Sequence, residues 1–335
     1  MRAERASALG REEISVNPLD WVAMRALVIV LFVGSLSVPA WTSEHLGRWG
    51  AKTQMPSSRT EVAVAQLAGR IYVIGGFGPG GDLVEVYDPA TDRWQRRASV
   101  PQALHHSGAV AVNGKLHLVG GYSGGFNAVG VLFEYDPVSD RWRQRRSMPT
   151  PRGALAVGFL DGKIYAVGGV GADGRNTGAV EAYDPTTDRW ESVAPLPTPR
   201  DHLAVSVVGG RLFAIGGRIQ GSFARNLGTN EAYDRAMNRW SSRSPLPTPR
   251  SGIAAVVLEG RIYVFGGEAP AGTFAQNEAY DPVADRWAAL APMPTARHGL
   301  GAAVVGGAIY VLSGGPRPGG SYSGANEVFY PPRAP

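Results

Sequence analysis

Short apolar runs set the rhythm of this chain. Ile71-Tyr72-Val73-Ile74, Ile164-Tyr165-Ala166-Val167 and Ile262-Tyr263-Val264-Phe265 each run into a glycine pair. A second short run precedes each of them, Ala302-Ala303-Val304-Val305 being typical. Turn residues separate the two runs: Asn113-Gly114, Asp161-Gly162, Gly209-Gly210, Glu259-Gly260 and Gly306-Gly307. Runs this brief, bounded by glycine and rich in β-branched and aromatic residues, predict strands. Asn-Gly and Asp-Gly are the strongest hairpin signals, because glycine takes the positive φ of a type I′ turn. Beyond the glycine pair, a variable loop leads to a third run, such as Val180-Glu181-Ala182-Tyr183. Asp184-Pro185 then opens a turn, and Arg189-Trp190 begins a fourth run.

This four-strand unit recurs. Glycine pairs stand at Gly75-Gly76, Gly120-Gly121, Gly168-Gly169, Gly216-Gly217, Gly266-Gly267 and Gly314-Gly315, at steps of 45, 48, 48, 50 and 48 residues. Tyrosine precedes tryptophan by seven residues at Tyr87/Trp94, Tyr135/Trp142, Tyr183/Trp190, Tyr233/Trp240 and Tyr280/Trp287. Both are expected in the core between units, where large side chains fill the gaps. A glycine pair, then Tyr, then Trp, at a period near 50 residues, resembles the Kelch repeat. The resemblance covers residues 45–331 and implies an all-β fold, a six-bladed Kelch β-propeller spanning residues 41–335.

The sixth unit stops early, with Glu327-Val328-Phe329-Tyr330 followed by Pro331-Pro332 and no tryptophan strand. The beginning of the chain holds the missing piece. Gly47-Arg48-Trp49 is followed by Met55-Pro56 in the register of Trp142 with Met148-Pro149 and Trp287 with Met293-Pro294. The N-terminal strand is therefore expected to complete the last blade and close the ring.

Ahead of this strand, Met24-Arg25 precedes the apolar run 26–33, and Val38-Pro39-Ala40 offers a small-residue cleavage site. That is the layout of a secretory signal peptide, so residues 1–40 are expected to be a leader with an N-terminal extension. The apolar run is short for a membrane span, which needs about 20 residues. Export to the periplasm or the outside follows as an expectation. The chain has no cysteine, which excludes disulfides, thiolate metal sites and cysteine nucleophiles. Net charge is +5 without a Lys/Arg run, so no nucleic-acid partner is predicted.

Strand parity puts the loop after strand two and the loop before strand one on the same face. Function is expected there, because the opposite turns are short and repetitive. The loop before strand one ends in Arg59, Arg152, Arg200, Arg250 and Arg297, with Leu104 in the second blade. A ring of arginines suits an anionic ligand. The recurring Glu85, Glu181, Glu231, Glu278 and Glu327 offer a purely structural pairing instead. The next two positions do not repeat. They hold Glu61, His105, His106, Asp201, His202 and His298, which join the arginines as candidate ligand-binding residues. The loops after strand two add Phe77, Tyr122, Phe126, Arg175, Asn176, Arg218, Gln220, Arg225, Asn226, Phe274, Gln276, Arg317 and Tyr322, which suit a carbohydrate or an acidic peptide. His105, His106, His202 and His298, with Glu61 or Asp201, offer a metal-ligand set as an alternative, but the separations of the histidines are not legible in sequence, and no metal or cofactor is predicted. Gly121-Tyr122-Ser123-Gly124-Gly125 has Gly-x-Ser-x-Gly spacing without the strand-to-helix elbow that exposes a nucleophile.

The resemblance implies a binding module for an acidic glycan or protein ligand at the loop-rich mouth of the central channel. Kelch substrate-adaptor propellers, some of which bind acidic peptides through arginines, are similar in the propeller alone. The chain also resembles exported bacterial Kelch proteins that act as sialic acid mutarotases, which implies an alternative isomerase role. A structural role in an envelope complex is a third possibility.

Overall fold

The computed structural model describes residues 46–332, so the leader and the proposed cleavage site lie outside the described residues. Six four-stranded antiparallel sheets form the blades of a propeller. Their inner strands are Ala63–Leu67, Gly108–Val112, Ala156–Leu160, Ala204–Val208, Ala254–Leu258 and Gly301–Val305. These strands are built from small residues because they crowd around the axis. A Cβ added at Gly301 would stand 2.0 Å from Val64 of the next blade.

Ring closure follows the sequence expectation. Arg48–Ala51 pairs with Asn326–Tyr330 in the register Arg48↔Tyr330 and Trp49↔Phe329, and so supplies the outer strand of blade six. The tryptophans show why this strand is equivalent to the others. Trp94, Trp142, Trp190, Trp240 and Trp287 each donate an indole N–H to a carbonyl of the preceding blade, on Thr53, Ala98, Arg146, Ala194 and Ser244. Trp49 makes the sixth such link, to the Ala291 carbonyl at 2.8 Å, and packs on Phe265 and Phe329. Each tryptophan thus fills the wedge between blades and satisfies its one donor there.

One register differs from the expectation. The last glycine pair is not Gly314-Gly315. Strand Ala308–Leu312 ends one residue earlier, so Ser313 and Gly314, at φ 62° and 100°, occupy the places of Gly266 and Gly267. A serine is tolerated at this left-handed position because its hydroxyl donates to the buried Arg59 carbonyl. Gly315 then falls in the variable slot after the pair, where its bridge to His298 matches the bridge from Glu268 to Ser251.

Candidate functional site

Two residues past the arginine position, the six blades meet. Glu61, His106, Ala154, His202, Gly252 and Gly299 all have positive φ. Their backbones form a closed ring: the N–H groups of Glu61, His106, Ala154, His202, Gly252 and Gly299 donate to the carbonyls of Gly299, Glu61, His106, Ala154, His202 and Gly252. This ring is the collar of the central channel. Below it a passage of about 250 Å³ runs between small apolar inner-strand residues. Above it lies a cavity of about 450 Å³ whose lining includes Glu61, His106, Asp201, His202, Arg218, Glu268 and His298.

The five arginines take no part in that lining. Each is fully buried inside the blade it precedes. Arg200 shows the pattern: Nε donates to the Gly216 carbonyl at 2.7 Å, Nη2 to Ala214 at 2.8 Å, and Nη1 to Thr198 at 2.9 Å and to Glu231 Oε2 at 2.6 Å. Arg59, Arg152, Arg250 and Arg297 pair likewise with Glu85, Glu181, Glu278 and Glu327. The expectation of an anion-binding ring at the mouth is corrected here. The guanidinium groups are spent on carbonyls and on the recurring glutamates, the structural alternative that the sequence left open. Blade two replaces both partners, placing Leu104 and Phe133 in a common apolar cluster.

The non-repeating residues converge instead. Arg218 is the hub. It donates from Nε to Asp201 Oδ1 at 3.1 Å, from Nη1 to Glu268 Oε1 at 2.6 Å and from Nη2 to His202 Nε2 at 2.9 Å. His202 Nδ1 bonds back to Asp201 Oδ1, and Asn176 donates to Asp201 Oδ2 at 2.5 Å. Across the collar, Glu61 stands between two imidazoles, with His298 Nδ1 at 3.3 Å from Oε1 and His106 Nε2 at 3.5 Å from Oε2. His106 Nδ1 meets His105 Nδ1 at 2.5 Å, and His105 Nε2 meets the Gly125 carbonyl at 2.7 Å. The opposite wall is aromatic. Phe77 stacks with Phe126 at 6.2 Å between centroids, and Tyr122 meets Phe126 edge-on at 5.4 Å. Phe126 is 67% exposed despite its size.

Burial divides these imidazoles. It pushes His106 down, to about 3, against the pull of Glu61, which leaves a neutral ring at neutral pH. Burial also opposes the charged form of His298, but Glu61, at 3.3 Å from Nδ1, with Glu268 behind, raises it above the ordinary histidine value. Burial would raise Glu61; its imidazole neighbours outweigh that and hold it well below the usual carboxylate range. Asp201 is brought down to about 2, burial again being overcome, here by His202, Asn176 and Arg218.

Five of the six non-arginine candidates thus gather at the collar and the cavity. His105 lies behind His106 and outside the cavity lining. Of the loop residues, Phe77, Tyr122, Phe126, Arg218 and Gln220 line the cavity, and Asn176 supports it through Asp201. Arg175, Arg225, Asn226, Phe274, Gln276, Arg317 and Tyr322 lie outside the lining. Sequence reasoning missed Glu268 and Phe223. Glu268 could have been found, because it follows a glycine pair directly, in the slot that Phe77, Tyr122, Val170 and Arg218 hold in other blades.

The comparisons with known proteins agree with this architecture. A family model described as the KLHDC2/KLHL20/DRC7 Kelch-repeats domain matches residues 36–217. The Kelch motif matches residues 199–247 and 249–294. The fold is similar to the solved structure of YjhT, with a TM-score of 0.72 at 15% identity, over 83% of this chain and 96% of that one. At this identity the likeness concerns the fold alone. No curated protein matches the sequence.

Proposed function

The chain belongs to the Kelch-repeat family of β-propellers, and from that premise we propose that it is a binding module whose mouth cavity takes a small, hydroxyl-rich ligand of the carbohydrate class. One observation carries this reading: the cavity sets an aromatic wall opposite a wall of fixed charges. The aromatic side holds Phe77, Tyr122 and Phe126, and the polar side holds Asp201, Arg218 and Glu268. A sugar ring has an apolar face for the first and hydroxyls for the second. The acidic ligand expected from the arginine ring loses its support, because those arginines are buried. Three carboxylates and one arginine surround the cavity floor, a balance that favours hydroxyl donors over an added carboxylate.

Calorimetry against a panel of neutral and acidic monosaccharides tests the proposal. Phe126→Ala is expected to weaken the best binder about tenfold, the worth of one stacked aromatic contact. Because Phe126 is exposed, its loss leaves the fold intact. Unchanged affinity in this variant, or no binder in the panel, would remove the carbohydrate reading.

A mutarotase-like activity is the second reading. Glu61 lies between His298, which its environment raises, and His106, which burial lowers, so a candidate acid and a candidate base flank one carboxylate. Anomer exchange of a sugar, followed by NMR with and without the protein, distinguishes an isomerase from a binder. Export belongs to the same proposal. It is tested by mass spectrometry of the mature chain, which is expected to begin at Trp41.

A further inference from the structure

The proton inventory of the collar leaves a gap between Glu61 and His106. The Gly125 carbonyl can only accept, so His105 Nε2 carries a proton toward it at 2.7 Å. His105 is buried against Phe77, Tyr122 and Phe126, and a neutral imidazole carries a single ring proton. Its Nδ1 is therefore bare, and the hydrogen of the 2.5 Å contact belongs to His106 Nδ1. His106 Nε2 is then also bare. It faces Glu61 Oε2 at 3.5 Å, lone pair toward lone pair, with no hydrogen to share.

His202 supplies a third acceptor nitrogen, held in this structure by Arg218. Asp201 fixes His202 with the proton on Nδ1, leaving Nε2 as an acceptor. Donor atoms of Glu61, His106 and His202 all lie within 4.8 Å of one another. Arg218 donates to His202 Nε2 at 2.9 Å, but Asp201 and Glu268 hold its other nitrogens, so it can give up this one contact and stay in place.

We propose that Glu61, His106 and His202 form a divalent metal site at the collar, with Asp201 orienting His202 from behind. Two imidazole nitrogens and a carboxylate oxygen select a first-row transition ion of the zinc class over calcium or magnesium. Three protein ligands leave a coordination position open toward the cavity. The cation also balances the surplus of carboxylates there. This site stands independently of the carbohydrate reading.

The test uses the purified full chain, stripped with a chelator and titrated with Zn2+ by calorimetry, and with Co2+ by visible absorption. One equivalent per chain and the absorption bands of tetrahedral or five-coordinate cobalt are expected. His106→Gly and His202→Gly each remove a ligand without straining the collar, because Gly252 and Gly299 already occupy the equivalent left-handed positions. Each is expected to weaken Zn2+ at least about 10–100-fold, the range that follows even from loss of a supporting group. His117→Phe, in a distant blade interface, should bind as the parent does. No uptake by the folded parent, or equal affinity in the parent and both glycine variants, overturns the proposal.

Discussion

Arg200 and His202 are two residues apart and have opposite fates. The arginine turns into its blade, meets three carbonyls and Glu231, and is sealed from solvent. The histidine turns to the channel axis and joins a network found at no other blade. The same contrast holds around the ring. A charge that repeats with the blade has a partner that repeats with it, so the pair is scaffold. A charge that appears once needs a reason of its own, and the unrepeated buried ones of the mouth loops gather at one cavity. Chemical type alone would have misled, since both positions carry groups suited to binding anions or metals.

Blade two is the natural experiment on the scaffold half of this contrast. It exchanges arginine and glutamate together for Leu104 and Phe133, both buried. Removing one partner of a buried ion pair strands the other charge, whereas an apolar exchange of both is often tolerated. Arg200→Leu should therefore cost about 3–5 kcal/mol in denaturant unfolding, because Glu231 keeps only the Thr198 hydroxyl. Adding Glu231→Phe should recover more than half of that loss. A double variant no better than the single one would show that the carbonyl contacts, not the ion pair, are what the arginine is for.

The fold was legible because a repeated unit states its own registration. Tyr, Trp and the glycine pairs could be aligned by counting, and Trp49 could be assigned to the last blade from the Met-Pro spacing alone. Register failed only where Ser313 took a glycine's place, since nothing local in sequence announces a serine at positive φ. The site was half legible. Departure from the repeat picked out Glu61, His106, Asp201, His202 and His298. What counting could not give was depth. A loop residue that ends a turn can face inward or outward, and the arginines face inward because strand-end carbonyls and glutamates wait for them. Glu268 is invisible to the composition of its glycine-rich loop and stands out only when the slot after each glycine pair is compared across blades.

His117 sharpens the contrast from another side, because it breaks the repeat away from the mouth. It holds the strand-two position of Tyr72, Tyr165, Phe213, Tyr263 and Tyr310. It is buried beside Glu134, at 3.4 Å, with Lys115 and Arg145 nearby and both ring nitrogens lacking a hydrogen bond. Burial keeps its folded pKa below the ordinary histidine value despite Glu134. The unfolded chain therefore binds more protons than the folded one as pH falls through about 6.5, and stability is lost on acidification. The slope from one such group is at most about 1.4 kcal/mol per pH unit. His117→Phe should flatten the pH dependence of unfolding below that point. An unchanged profile would mean that Glu134 compensates fully and that this departure from the repeat is neutral.

The smallest expected effect bears most directly on why the mouth differs from the scaffold. Collar positions have left-handed backbone in every blade, and glycine meets that demand at Gly252 and Gly299. Ala154, at φ 53°, meets it with a methyl group that makes no polar contact. A non-glycine residue in this conformation carries about 1–2 kcal/mol of strain. Ala154→Gly relieves it but adds about 0.4–1 kcal/mol of unfolded-chain freedom. The variant should therefore gain between about 0 and about 1.6 kcal/mol of stability in denaturant unfolding. A clear loss would mean that the collar is unstrained at this blade. A gain would calibrate the same conformation at Glu61, His106 and His202, at φ 52°, 56° and 52°. Strain retained by a bare methyl is incidental. The same strain at the three residues whose electron pairs converge is kept for what those side chains hold.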